Sequence, residues 1–163
     1  NIKGKMEKIM LDTNVFSRPL DDLSDKSVKL EADSSKKIFN FARDKIVSII
    51  TSEILFYEIG LIKGKDKREV IFHLAKNVER SMIMINSDIE KLADDFKAYI
   101  KDYADCLHIA SAALSGCSYL VTCDNELLKK AEKIESFLLN LDIKLNIVNP
   151  VKIVSIIDEQ NGN

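Results

Sequence analysis

Ile9-Met10-Leu11-Asp12-Thr13-Asn14 and Tyr119-Leu120-Val121-Thr122-Cys123-Asp124 are two short apolar runs that each deliver an acid at their carboxyl end. Lys45-Ile46-Val47-Ser48-Ile49-Ile50 is a third such run, and Met82–Ile85 and Leu145–Val148 complete a set of five. Runs of nearly continuous β-branched and aliphatic residues suit strands buried on both faces, as in a parallel sheet. Alternation of such strands with helical patterns implies an α/β fold with a mainly parallel, helix-covered sheet of about five strands. In an open parallel sheet, ligands bind beyond the carboxyl ends of the strands. Asp12 and Asp124 are therefore expected on the functional edge.

The segments between the strands read mostly as helices. Residues 27–43 carry Val28, Ile38, Phe39, Phe41 and Ala42 at helical spacing. Ser52 is positioned to cap a helix over 53–62, and Asp66-x-x-Glu69 opens another that runs to about Glu79. Ser87-Asp88-Ile89-Glu90 reads as a capping box for a helix to about Lys101. Residues 105–115 form a helix rich in small side chains and closed by Gly116, and Glu126–Leu139 form the next. Asn149-Pro150 matches a cap with proline in the first helical position, so a short last helix is expected. Residues 12–26 read as a polar loop containing Pro19.

The chain has 163 residues, 46% hydrophobic and 31% charged, which suits one domain with one core. Residues 1–7 read as an N-terminal extension, with Met6 a natural start. The domain is expected over 8–157 and a frayed tail over 158–163. A net charge of −2 gives no bulk attraction to nucleic acid, so binding to phosphate would need a cation or a local basic patch. No stretch reaches the roughly 18 apolar residues of a membrane span. Cys106, Cys117 and Cys123 are odd in number and form no C-x-x-C pair, which reads as reduced thiols in a cytoplasmic protein.

Asp12, Glu58, Asp105 and Asp124 are the candidate metal-binding and catalytic acids. Close carboxylates raise one another's pKa and stay ionised together only with a cation among them. The cluster therefore predicts a hard divalent ion on oxygen ligands. Such an ion lowers the pKa of a bound water and screens a phosphodiester. Thr13, Asn14 and Thr122 are placed to orient the carboxylates by hydrogen bonding. Glu53 competes with Glu58 for the second acid. The two lie about 140° apart on a helix, and the spacing from Ser52 and the apolar neighbours favour Glu58. His108 reads as a structural histidine one turn beyond Asp105. Lys63, Lys65, Lys67 and Arg68 are candidate substrate-binding cations, and Lys129, Lys130 and Lys133 are a second run.

The segments Ile9–Val15, Thr51-Ser52-Glu53-x-x-x-x-Glu58, Asp105-Cys106-Leu107-His108-Ile109-Ala110-Ser111-Ala112 and Leu120–Asp124, in this order, resemble the PIN domain family. That family includes the ribonuclease toxins of VapC-type toxin–antitoxin pairs. The resemblance spans roughly residues 8–150. It implies a three-layer α/β/α sandwich and hydrolysis of RNA with Mg²⁺ or Mn²⁺ held by Asp12, Glu58, Asp105 and Asp124. It also implies an RNA substrate and, for a toxin, an antitoxin partner and a homodimer. The long acidic loop after Asp12 and the two glutamates of the second motif depart from the commonest toxin pattern.

Other chemistries fit less well. An aspartyl-phosphate mechanism at Asp12 expects a second Asp two positions on, where Asn14 stands. Dinucleotide and P-loop motifs need glycine patterns that a chain with five glycines does not contain. A PIN-like module that binds RNA or protein without turnover is the alternative to a nuclease.

Overall fold

The computed structural model describes residues 6–162. Five strands form one parallel sheet in the order β3-β2-β1-β4-β5. The strands are β1 (Glu7–Leu11), β2 (Val47–Ser52), β3 (Glu79–Ile83), β4 (Tyr119–Val121) and β5 (Asn146–Val148). Central β1 pairs Ile9 with both Ile49 and Tyr119, and Leu11 with Val121. The chain builds outward from β1 to β3 on one side, then restarts at β4 on the other. The sheet thus has its topological switch point between β1 and β4, where open α/β sheets bind their ligands.

Alternation along the strands separates two cores. Met10, Ile50 and Leu120 face one layer, formed by α5 (Ser87–Phe96), α6 (Tyr103–Leu114) and α7 (Asn125–Leu139). Ile9, Leu11, Ile49 and Val121 face the other, formed by α1 (Thr13–Ser17), α2 (Lys26–Arg43), α3 (Glu53–Gly60), α4 (Lys65–Val78) and α8 (Pro150–Gln160). The result is the three-layer α/β/α sandwich. The small residues Ala110, Ala112 and Ala113 of α6 are buried on the sheet. Asn149 caps α8 by accepting from the Lys152 N–H at 2.8 Å, with Pro150 in the first turn.

Several boundaries differ from the sequence expectation, each for a local reason. The expected loop after Asp12 begins with α1 and a 3₁₀ turn at Arg18–Leu20, because Asp12 caps α1. β2 starts at Val47 rather than Lys45, since Lys45 has φ 59° in the preceding turn. β3 covers Glu79–Ile83 rather than Met82–Ile85. It is an edge strand, and its polar start, Glu79-Arg80-Ser81, carries no apolar signal. Asn86, not Ser87, caps α5 by accepting from the Ile89 N–H, and α5 stops at Phe96. α6 begins at Tyr103 under an Asp102 cap, so Asp105 is its third residue. Glu7 already belongs to β1, and α8 continues through Asp158 to Gln160. Residues 1–5 of the expected extension lie outside the described residues. No helix among the described residues is long and apolar enough to cross a membrane.

Candidate active site

A cleft of about 290 Å³ opens at the carboxyl end of the sheet, lined among others by Asp12, Glu58, Asp102, Asp105 and Asp124. Asp12 leaves β1 directly. Its N–H donates to the Val121 carbonyl at 2.8 Å, which fixes the backbone to β4. One carboxylate oxygen accepts from the Thr13 N–H at 2.8 Å. The other accepts from the Thr122 hydroxyl at 2.8 Å and the Asn14 amide at 3.2 Å. Asn14 in turn accepts from the Cys123 N–H at 2.9 Å, and the Thr122 oxygen accepts from the Asp124 N–H at 3.0 Å. Thr122 and Asn14 thus knit the ends of β1 and β4 into one rigid support. Asp124 caps α7, accepting from the Glu126 N–H at 2.9 Å.

Glu58 comes from the last turn of α3. It accepts from the Thr13 hydroxyl at 2.7 Å and lies in hydrogen-bond contact with His108 Nε2. Burial opposes its ionisation, but the hydrogen bonds and charge of His108, with help from Thr13, hold the carboxyl below the usual glutamate range. Glu53 takes no part in the cleft. It is exposed and accepts from the Ile85 N–H at 2.9 Å, which ties α3 to the end of β3.

His108 is fully buried. Its Nε2 also lies 3.6 Å from Asp12 Oδ1. Burial pulls its pKa down, yet contact with Glu58 and the nearby Asp12 and Asp105 raise it above the ordinary histidine value. Nε2 therefore acts as a donor to Glu58. Ligand atoms of Asp12, Glu58 and His108 all lie within 4.8 Å of one another, close enough to share a metal ion. With Nε2 carrying its proton, the oxygen set of the cleft is the better match to a hard cation.

Asp105 shows the strain of the cluster. Burial, with the charges of Asp12, Asp102 and Asp124 nearby, pushes its carboxyl up to about 7. His108 offsets this only in part. Carboxylates this crowded lack enough positive charge among the described side chains, and a divalent cation fits that deficit.

The expected substrate-binding cations, Lys63, Lys65, Lys67 and Arg68, divide. Lys67 lines the cleft and sits 3.9 Å from Asp21. Arg68 turns back to donate to the Ile62 carbonyl at 2.9 Å. Lys63 and Lys65 are exposed beyond the cleft lining. Two participants were missed in the sequence. Asp102 was not singled out, although an Asp just before a helical segment is a cap signal. His108 read as structural, and no sequence signal joins it to Glu58, fifty residues earlier.

The carboxylate-lined cleft lies at the switch point of an open α/β sheet, where such sheets bind their ligands, and its acidic group could hold a metal ion. The PIN domain family model matches residues 9–133, and the chain belongs to that family. PIN domains are generally nucleases that act on nucleic-acid substrates, which makes this chain a hydrolase in broad class. No curated protein matches the chain at a significant level.

Proposed function

We propose that the chain is a metal-dependent endoribonuclease that hydrolyses phosphodiester bonds in single-stranded RNA. The observation that carries the reading is the cleft itself, which receives Asp12, Glu58, Asp105 and Asp124 from four different elements around one opening. These four would hold Mg²⁺ or Mn²⁺. Bound there, the ion would supply charge neutralisation of a phosphodiester and lower the pKa of the attacking water.

The chain's own residues have separable roles in this reading. Thr122 and Asn14 orient Asp12, and Thr13 orients Glu58. His108 donates to Glu58 and keeps it ionised. Asp105, its carboxyl raised to about 7, is the acid that would release a proton on binding a cation there. The buried free thiols of Cys106, Cys117 and Cys123 support a reducing, cytoplasmic setting. A toxin role is part of the same proposal. The exposed Tyr57 of α3 and Leu61, which caps its end, lie near Glu58 in sequence and would be covered by an antitoxin or a second copy of the chain.

Incubation of the protein with single-stranded RNA in Mn²⁺ tests the activity. Internal cleavage that EDTA abolishes and Asp12→Asn removes is the expected result. A folded, metal-loaded protein that cuts no RNA would favour a binding module without turnover.

A further inference from the structure

We propose that the RNA strand leaves the acid cleft along a track across Tyr99 and the amino-terminal half of α7, with Tyr99 stacking one base and Lys101, Lys130 and Lys133 holding phosphates. This assignment rests on the nuclease reading for its direction, since it places the scissile bond at Asp105 and Asp124.

Three observations carry it. The cleft is continuous with a second hollow of about 430 Å³, because Asp102, Asp105 and Asp124 line both. Tyr99, Ile100 and Leu127 give that hollow apolar lining, and Lys101, Lys130 and Glu126 line it as well. Tyr99 also lines a third, open hollow of about 670 Å³ with Lys133 and Phe137. The three hollows therefore follow one another along α7, and Tyr99 is the joint between the last two.

The chemistry changes along this path in the sense a nucleic acid requires. Acids gather at one end, where a divalent ion would meet the phosphate. Lysines and aromatic rings follow, with Glu126 and Glu132 interspersed among them. Among the described residues, Lys101, Lys130 and Lys133 make no ion pair, whereas Lys67 on the opposite side is drawn to Asp21. Tyr99 is firmly held. Its N–H donates to the Phe96 carbonyl at 2.9 Å, and its ring packs against the core while remaining partly exposed. Phe137 is fixed edge-on to Phe96, with ring centres 5.6 Å apart. Rigid aromatic faces interleaved with lysines are the elements of sequence-tolerant single-strand binding. A duplex keeps its bases stacked inside and is read through backbone and shape, so it would leave Tyr99 unused.

Binding of a fluorescein-labelled 12-nucleotide single-stranded RNA, followed by anisotropy in EDTA to prevent turnover, tests the track. Tyr99→Ala should weaken binding by roughly tenfold, the effect of losing one base–aromatic stack, and Tyr99→Phe should restore it. Lys101→Glu, Lys130→Glu and Lys133→Glu combined should flatten the dependence of log K on log salt by about 0.7 for each lysine. These lysines are surface groups, so the triple variant decides the matter even where Tyr99→Ala loses the fold. Unchanged affinity and salt slope in the folded triple variant would overturn the track. So would a larger loss from reversing Lys65 and Lys67. Wild-type binding with these sensitivities, but no cleavage in Mn²⁺, would remove the nuclease reading and leave the track standing.

Discussion

The Thr122 hydroxyl donates to Asp12 Oδ2 at 2.8 Å, joining the ends of two adjacent parallel strands across 110 residues of sequence. The same oxygen accepts from the Asp124 N–H. One buried threonine therefore sets the position of two of the five acids that line the cleft. Its effect on chemistry passes through them, not through contact with a substrate.

Thr122→Val keeps the shape and removes both bonds, together with the one the hydroxyl oxygen accepts from the Asn14 amide at 3.3 Å. It leaves a buried carboxylate oxygen and an N–H short of a partner, which costs about 1–3 kcal/mol of stability. Metal affinity or activity should fall by roughly 10- to 100-fold, the usual cost of losing a group that orients a ligand. Urea denaturation beside a Mn²⁺ titration measures both. Wild-type values in both would show that Asp12 is held by Thr13 and Asn14 alone.

Glu58 and Glu53 face different tasks, and their variants should separate. Glu58→Gln should lose most metal-dependent cleavage, because Gln cannot supply an anionic oxygen. Glu53→Gln should keep it and alter stability by at most about 0.5 kcal/mol, as expected for an exposed side chain. Initial rates on one RNA at fixed Mn²⁺ compare them. Loss of cleavage in Glu53→Gln alone would transfer the role.

The metal-free protein should lose stability as pH rises from about 4 to about 7. Asp105 titrates at about 7 in the fold against an ordinary 3.8, so the folded state holds its proton more tightly than the unfolded chain. Its contribution is full below the unfolded value and disappears as pH climbs through the folded one. His108, also raised, adds a loss above its ordinary 6.5. Glu58 is lowered, so its own contribution fails only on the acid side, below its ordinary 4.5. Urea midpoints in EDTA should therefore decline between pH 5 and 7 in the wild type and flatten in Asp105→Asn over that interval. An equal decline in both would remove Asp105 as the cause. Mg²⁺ at pH 8 should raise the wild-type midpoint if the carboxylate site binds it, since only the folded state assembles that site.

The parts of the molecule that were legible in the sequence share a physical basis. β1 and β4 are central strands buried on both faces, so their runs are unbroken and their terminal acids stand out. β3 lies at the edge with Glu79, Arg80 and Ser81 in the strand, where burial leaves little imprint on composition. Glu58 could be separated from Glu53 only by helix geometry, and the contact of Glu58 with His108 belongs to the packing of α3 against α6. Cap residues shifted by one or a few positions, as with Asn86 and Asp102, because several neighbouring Asp, Asn and Ser side chains can serve. The α7 track arises from hollows between elements and has no signature in any single segment.

Calorimetric titration of Mn²⁺ into the wild type, Asp12→Asn and Asp105→Asn tests most directly whether the converging carboxylates form one cation site. Saturable binding to the wild type and strong weakening in each variant are expected, with both variants still folded and at least as stable without metal as the wild type at pH 8. Equal Mn²⁺ affinity in all three proteins would contradict a single shared cation site.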